Sequence, residues 1–311
     1  MNIQEIKTGL MQNSYIPSDQ IAFAVSCAIN FHKPILVEGA PGVGKTSLAA
    51  AVANLLDVPL IRMQFYEGLT PEHILYDYDY QKQLVTIQAI SGVLNHEMEG
   101  KSVNEAITAT ENMNFYDKQF LIPRPLLKSI MSDTSCVLLL DEVDKTTEEV
   151  EHILLEFLES YSISIPQLGT VQCDPDKLPI VFLTSNRFRE LSEPLKRRCG
   201  YLFIENKTEA QMAEILKTRV RKMPEMTDAA ARVLYFLQSA DLEQTPSIAE
   251  GIDWATILVE GITDEAMTLK MTLQALIKNK QDLQVILSKW DRYFGPVETV
   301  WKKTRSQTLD L

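Results

Sequence analysis

The stretch Gly39–Thr46 constrains this chain more strongly than any other part of it. Its sequence, G-A-P-G-V-G-K-T, matches the pattern G-x-x-x-x-G-K followed by S or T at every position. A short, mostly apolar run, Ile35–Glu38, precedes it, and Ser47–Leu56 follows with apolar residues at helical spacing. The pattern therefore predicts a buried strand, a tight glycine-rich turn and a helix in succession.

The residue types in this turn are those that a bound phosphate group requires. Glycines let successive backbone N–H groups point at one anion, and the following helix adds the positive end of its dipole. Lys45 would place its ammonium group on the β- and γ-phosphates, and the Thr46 hydroxyl would bind Mg²⁺. The sequence thus predicts a nucleoside triphosphate site formed by nine residues: Gly39, Ala40, Pro41, Gly42, Val43, Gly44, Lys45, Thr46 and Ser47.

Two carboxylates follow a second apolar run. Cys136–Leu140 is typical of a strand that is buried on both faces of a parallel sheet, and Asp141 and Glu142 come directly after it. Acids at the carboxyl end of such a strand emerge where ligands bind in α/β sheets. We expect Asp141 to hold Mg²⁺, directly or through water, and Glu142 to orient and polarise the attacking water.

Two further features complete the set of candidate site residues. Asn186 follows the apolar run Ile180–Thr184 after one serine. If this strand lies beside the strand of the phosphate loop, we expect the Asn186 amide to reach the γ-phosphate and help hold the water. Arg197 and Arg198 form a basic pair in an acidic chain. We expect an arginine finger here, donated to a nucleotide on a neighbouring subunit, because such a cation stabilises charge on the transferring phosphoryl group.

The order of elements predicts the fold class. Strands alternate with helices up to residue 205, which indicates an α/β domain with a parallel sheet flanked by helices. Residues 206–311 carry helical patterns and little strand signal, which predicts a C-terminal helical lid. We expect insert hairpins near residues 75–90, where Tyr76–Tyr80 alternates at period two, and near residues 161–173. Two capping boxes are also predicted, Thr146 with Glu149 and Thr208 with Gln211.

Composition narrows the functional classes. The chain has 30 Lys and Arg against 42 Asp and Glu, a net charge of −12, which opposes sequence-independent binding to nucleic acid. No run approaches about 18 apolar residues, so no membrane span is predicted. The start of the chain lacks the apolar core of a signal peptide, and neither the four cysteines nor the four histidines show zinc-ligand spacing. These observations predict a reduced, cytoplasmic protein.

The order of these motifs resembles that of the AAA+ ATPases, a class of P-loop NTPases. More narrowly, it resembles the MoxR group, in particular its CoxD-like branch, whose members are paired with von Willebrand A-domain proteins. The likeness covers about residues 15–205 and is weaker in the lid. It rests on five stretches: Ile61–Leu69, Phe120–Leu126, Ile165–Thr170, Leu183–Arg187 and Leu195–Cys199.

The resemblance implies a Mg²⁺-dependent ATP hydrolase that assembles into a homo-oligomeric ring, usually a hexamer. It implies a chaperone-like role: remodelling or activating a client protein, including maturation of cofactor or metal centres, with a von Willebrand A-domain protein as one candidate client. Asn186 corresponds to sensor 1 and Arg198 to the arginine finger, which the neighbouring Arg197 could replace or assist.

The resemblance also has implications outside the nucleotide site. Many lids of the group carry a sensor-2 arginine, but the matching stretch Pro246–Ala249 has none. The family's insert falls in the region of Tyr76–Tyr80 and faces the central pore, so our hypothesis is that Tyr76–Tyr80 and Ser164–Val171 contact the pore or the partner. The alternative is an exposed hairpin whose tyrosines rest on the body of the domain.

Two alternative functions stay open at this point. The chain could be a slow nucleotide-dependent switch that only recruits a partner, or a nucleic-acid motor, which the net charge disfavours. Glu142→Gln would separate a motor from a switch, since a motor loses function while it keeps ATP, whereas a switch would be locked on.

Overall fold

The computed structural model describes residues 1–97, 118–166, 168–264 and 266–309. Its strands are β1 (Ile35–Gly39), β2 (Leu60–Gln64), β3 (Tyr76–Tyr78), β4 (Leu121–Pro123), β5 (Val137–Asp141), β6 (Ser162–Ile165), β7 (Gly169–Gln172), β8 (Ile180–Ser185) and β9 (Gly200–Ile204). Its helices are α1 (Ile3–Gln12), α2 (Asp19–Phe31), α3 (Lys45–Leu56), α4 (Pro71–Leu75), α5 (Tyr80–Glu97), α6 (Pro125–Ile130), α7 (Glu148–Ser160), α8 (Glu193–Arg198), α9 (Glu209–Arg219), α10 (Pro224–Gln238), α11 (Ile248–Glu260), α12 (Lys280–Ser288) and α13 (Trp290–Leu309).

A five-stranded sheet has the order β2-β5-β8-β1-β9. β5 pairs in parallel with β2, with Gln64 opposite Asp141, and in parallel with β8 on its other side. Every residue of β1, β5 and β8 is buried, which explains their uninterrupted apolar sequences. β2 lies at the end of the sheet and alternates exposed and buried residues. The α/β fold with a parallel sheet and flanking helices, expected from the sequence, is confirmed.

One compact unit comprises Ala24–Leu36 and Leu56–Tyr201. Its core joins apolar residues of β2, β5 and β8 to those of α7, including the fully buried Phe157. The N-cap of α7 is Thr147, whose hydroxyl accepts the Val150 N–H. The capping box expected of Thr146 with Glu149 is therefore wrong. The Thr146 hydroxyl instead donates to the Val143 carbonyl and accepts from the Arg189 guanidinium, and this tertiary contact removes it from capping.

The hairpin expected near residues 75–90 is wrong. Tyr76–Tyr78 pairs with the distant strand Leu121–Pro123, and the chain becomes helical at Tyr80. The Asp79 carboxylate accepts the Lys82 N–H at 2.9 Å, which is the bond of a helix N-cap, so Asp79 ends the strand pattern and starts α5. In residues 161–173, β6 and β7 do pair as an antiparallel hairpin, whose residue 167 lies outside the described residues.

The other compact unit comprises Met1–Phe23, Val37–Leu55 and Leu202–Leu311. The described part of residues 206–311 is helical, and its core centres on Trp254, whose ring meets Phe294 edge to face at 5.7 Å. The capping box of Thr208 and Gln211 is present at the start of α9. A division into domains at residue 205 stays a prediction. Among the described residues, no helix is long and apolar enough to cross a membrane.

Candidate functional site

The phosphate loop lies between β1 and α3, as the pattern predicts. Gly42 and Gly44 adopt φ angles of +77° and +102°, in the region that favours glycine. At Gly42 there is also no room for a side chain, because a Cβ atom there would lie 2.4 Å from the Cβ atom of Ser247. The loop therefore requires glycine at both positions to keep its backbone amides in this arrangement.

The Lys45 side chain is buried against the phosphate loop rather than exposed to solvent. Only 8% of the residue is exposed, and its ammonium group donates to the carbonyls of Gly39 at 2.7 Å and Ala40 at 2.9 Å. The ammonium is thus held against the loop whose N–H groups would bind an anion. This is the placement that contact with a bound phosphate requires.

The N-terminus of α11 lies against the loop at Gly42. Ser247 caps this helix in a capping box with Glu250, and it occupies the stretch in which the resemblance leads one to expect a sensor-2 arginine. The close approach of Ser247 to Gly42 leaves no space for a longer side chain pointing at this glycine. The positive end of the α11 dipole is oriented by the same cap.

A buried hydroxyl next to the loop provides a test of whether these residues fit a nucleotide. The Tyr15 ring lies near Gly44, since a Cβ atom at that glycine would be 3.8 Å from the tyrosine oxygen. Tyr15 is 7% exposed, and its hydroxyl has no hydrogen-bond partner among the described residues. Burial raises the pKa of Tyr15, so the hydroxyl stays protonated and remains a donor. Buried donors are normally paired, so an acceptor on a bound ligand fits here.

Asp141 and Thr184 form the centre of an acidic cluster in the other unit. The Asp141 carboxylate is 6% exposed. Its Oδ1 accepts from the Thr184 hydroxyl at 2.5 Å, and its Oδ2 accepts from the Arg62 guanidinium at 2.6 and 3.1 Å. Thr184 also accepts the Glu142 N–H at 2.9 Å, so one hydroxyl links both acids to β8. A carboxylate is a hard oxygen donor and is the ligand type that Mg²⁺ prefers.

Glu142 sits in a strained backbone conformation. Its φ angle of +60° is unusual for a residue with a side chain, and such strain is found at functional sites. Oε1 accepts from the Asn186 amide at 3.2 Å, whereas Oε2 accepts from Gln64 at 2.9 Å and pairs with Lys145 at 2.7 Å. The hydrogen bond to Glu142 raises the pKa of Lys145. The structure thus brings Asp141, Glu142 and Asn186 together.

Asp144 positions the turn that carries Asn186. Its carboxylate is buried, and Oδ2 accepts the backbone N–H groups of Asn186 at 3.0 Å and Phe188 at 2.7 Å. Between them, Arg187 has a φ of +62°. The sequence explains Asp144 equally well as a charge at a helix start, so its part in the site is not apparent from the sequence.

Arg62 and Gln64 were also not assigned to the site from the sequence, although they lie in one of the stretches that carry the family resemblance. They are exposed on the same face of β2, because residues two apart in a strand point the same way. The pairing of Gln64 with Asp141 across the strands brings both side chains to the acidic cluster. The available signal was a polar pair at period two at the end of an apolar strand.

The two candidate finger arginines lie in the last turn of α8. Arg198 pairs with Glu159 of α7 at 2.8 Å and donates to the Pro194 carbonyl at 3.3 Å, whereas Arg197 is exposed. Cations at the C-terminal end of a helix also stabilise its dipole. The role of either residue in a neighbouring subunit stays a prediction.

The fold resembles solved structures of RuvB from Thermotoga maritima. An alanine-to-serine mutant is 17% identical over 85% of this chain and 70% of that chain, with a TM-score of 0.47. A structure described as the Holliday junction branch migration motor is 15% identical over 85% and 67%, with a TM-score of 0.45. The profile of the AAA domain (dynein-related subfamily) matches residues 34–199, more than half of the chain, and the chain belongs to this family.

Proposed function

We propose that this AAA domain protein hydrolyses ATP with Mg²⁺ and uses the energy to remodel or activate a partner protein. The observation that carries the proposal is the contact of 3.2 Å between the Glu142 carboxylate and the Asn186 amide. An acid beside an amide donor can orient and polarise one water molecule for attack on a phosphoryl group. Asp144 stabilises this arrangement, because its carboxylate accepts the backbone N–H of Asn186.

Each remaining site residue has a part in the proposal. The backbone of Gly39–Ser47 binds the phosphates, and Lys45 places a positive charge on them. Thr46 and Asp141 would hold Mg²⁺, which neutralises charge on the phosphates when it is bound. Glu142 takes the proton of the attacking water, and Asn186 holds that water in line.

The assembly is proposed from the family. AAA+ proteins commonly oligomerise, and we propose a homo-oligomeric ring of six subunits in which Arg198, or its neighbour Arg197, completes the site of the next subunit. The narrower resemblance of the sequence to the CoxD-like branch of the MoxR group leads us to propose a protein client with a von Willebrand A domain. The exposed residues Ser164 and Thr170 of the β6–β7 hairpin are proposed to contact that client or the central pore. A cytoplasmic location, based on cysteine usage, belongs to the same proposal.

Substitution of Glu142 tests the proposed chemistry. Glu142→Gln keeps the shape of the side chain and its contact with Asn186 but cannot accept a proton. We expect ATP affinity to change less than about threefold while turnover falls by at least about 100-fold, the scale of general-base catalysis. Nucleotide binding by calorimetry and phosphate release measure the two quantities. Glu148→Gln, an exposed position in the first turn of α7, is the matched control. Normal hydrolysis by Glu142→Gln would show that Glu142 is not the base.

One observation favours a slow switch as the second candidate. The Glu142 carboxylate is engaged by Gln64, Asn186 and Lys145, and these bonds must loosen before it can accept a proton from water. If the protein is a switch, Glu142→Gln should recruit the partner permanently. A motor should lose partner activation with the same substitution. Salt-dependent stimulation of turnover by DNA would instead revive the nucleic-acid motor that the charge disfavours.

A further inference from the structure

We propose that Arg62 is a built-in counter-cation of Asp141 that competes with the divalent metal ion and sets the affinity of the metal site. This inference rests on the proposed function, in which Asp141 is a metal ligand. It adds a residue that acts against metal binding rather than for it.

The geometry places the guanidinium where a cation bound to Asp141 would lie. Both Nε and Nη2 of Arg62 contact the same oxygen, Oδ2, at 3.1 and 2.6 Å. The other oxygen, Oδ1, accepts from the Thr184 hydroxyl. A metal ion or metal-bound water approaching Oδ2 therefore meets a positive charge already in contact with that oxygen.

Burial explains why Asp141 needs a positive partner. A carboxylate taken out of water is strongly destabilised unless it is paired and hydrogen-bonded. The Asp141 side chain is 6% exposed, so in the absence of metal Arg62 supplies the compensating charge. When a divalent ion takes over that role, Arg62 becomes a like charge a few ångströms away, and the repulsion lowers the affinity for the ion.

The Arg62 guanidinium can move away from Asp141 into solvent when a metal ion binds. Its side chain is 52% exposed, because β2 ends the sheet and turns this face towards solvent. Beyond Asp141, its Nη2 also donates to Gln64 Oε1 at 2.7 Å, which holds the guanidinium beside the cluster. A half-exposed arginine regains hydration when it swings out, so the exchange of one cation for another is feasible at this position.

The test measures metal binding by the whole chain in the presence of ADP, with Mn²⁺ as the probe and electron paramagnetic resonance as the readout of free ion. Arg62→Gln removes the competing charge and should tighten Mn²⁺ binding by about tenfold, the size expected for a nearby screened charge. Arg124→Gln is the matched control, because it makes the same substitution in an Arg–Asp pair elsewhere in the same unit, with Asp77. It should leave Mn²⁺ affinity unchanged.

Two further variants define the results that would overturn the inference. Arg62→Lys keeps the charge, so its Mn²⁺ affinity should stay within about twofold of wild type. Asp141→Asn removes the metal ligand, so it should weaken Mn²⁺ binding and raise the signal of the free ion. Unchanged or weaker binding by Arg62→Gln, or equal tightening by Arg62→Lys, would overturn the inference while leaving the proposed function intact. Wild-type protein that binds Mn²⁺ no more tightly than Asp141→Asn does would overturn both.

A measurement on the unaltered chain covers the case in which Arg62→Gln does not fold. The Nε–H group of Arg62 gives a ¹⁵N signal that can be assigned by its loss in Arg62→Lys. Saturation with Mg²⁺ and ADP should move this signal and speed its exchange with water, because the bond to Asp141 is released. A signal that stays in place at saturation would show that the ion pair persists and would overturn the competition.

Discussion

Two tyrosines differ in whether their hydroxyl groups have a hydrogen-bond partner among the described residues. The Tyr161 hydroxyl donates to the His32 carbonyl at 2.6 Å, so its bonding is complete within the chain. The Tyr15 hydroxyl is buried beside the phosphate loop without a partner among the described residues. An unpaired buried donor costs stability, whereas a paired one contributes about 1 kcal/mol. The two residues should therefore respond in opposite ways to loss of the hydroxyl.

Tyr15→Phe should weaken ADP and ATP binding by about three- to tenfold, the value of one hydrogen bond, without lowering the free energy of unfolding. Tyr161→Phe should lower the free energy of unfolding by about 1 kcal/mol and leave nucleotide affinity alone. Calorimetric titration and denaturant unfolding on both variants provide the measurements. Equal nucleotide affinity of Tyr15→Phe and wild type would exclude a contact between this hydroxyl and the nucleotide.

At Asp144, one carboxylate oxygen fixes the backbone that presents Asn186. Asp144→Ala should free this turn and lower the turnover number by at least about tenfold, with little change in ATP affinity, because misplacement of a catalytic group acts mainly on the chemical step. Asp144→Asn keeps an acceptor oxygen and should retain more activity. Steady-state kinetics that separate kcat from KM test this. A rise in KM at constant kcat would contradict a positioning role.

Among the elements, the buried strands were the most predictable. β1, β5 and β8 lie inside the sheet, so their apolar runs have no competing interpretation. The phosphate loop was predictable for a related reason, since its glycines are dictated by local backbone geometry. Short patterns of alternating residues predicted secondary structure less accurately. Five residues of period two at Tyr76–Tyr80 proved to be a three-residue strand followed by the Asp79 cap of a helix.

The missed site residues depend on long-range pairing rather than on local pattern. Arg62 meets Asp141 across 79 positions of the chain, and Asp144 meets Asn186 across 42. These contacts follow from strand order and register, which no local spacing specifies. The acids of the site could therefore be predicted from the strand that they end, whereas the groups that hold and neutralise them could not.

At the scale of the whole molecule, the net charge of −12 coexists with cations placed at particular acids. Arg62 and Lys145 pair with the two acids of the site, and Arg198 pairs with Glu159. The Arg198 guanidinium is thus fixed relative to α7, while Arg197 beside it is exposed. If Arg198 is the arginine finger, it can reach the nucleotide of a neighbouring subunit only after the ring has formed.

Mixing two inactive variants tests this assignment. Lys45→Ala subunits lack a working phosphate loop but keep Arg198, and Arg198→Ala subunits have the reverse defect. If the finger acts in trans, an equal mixture has a complete site at roughly one half times one half, or a quarter, of its interfaces, since neighbours in a ring pair at random. ATP turnover should then recover to about that fraction of wild type, whereas a finger acting within its own subunit gives none. The same mixture with Arg197→Ala shows which arginine is the finger, because only that variant is inactive alone and rescued by Lys45→Ala.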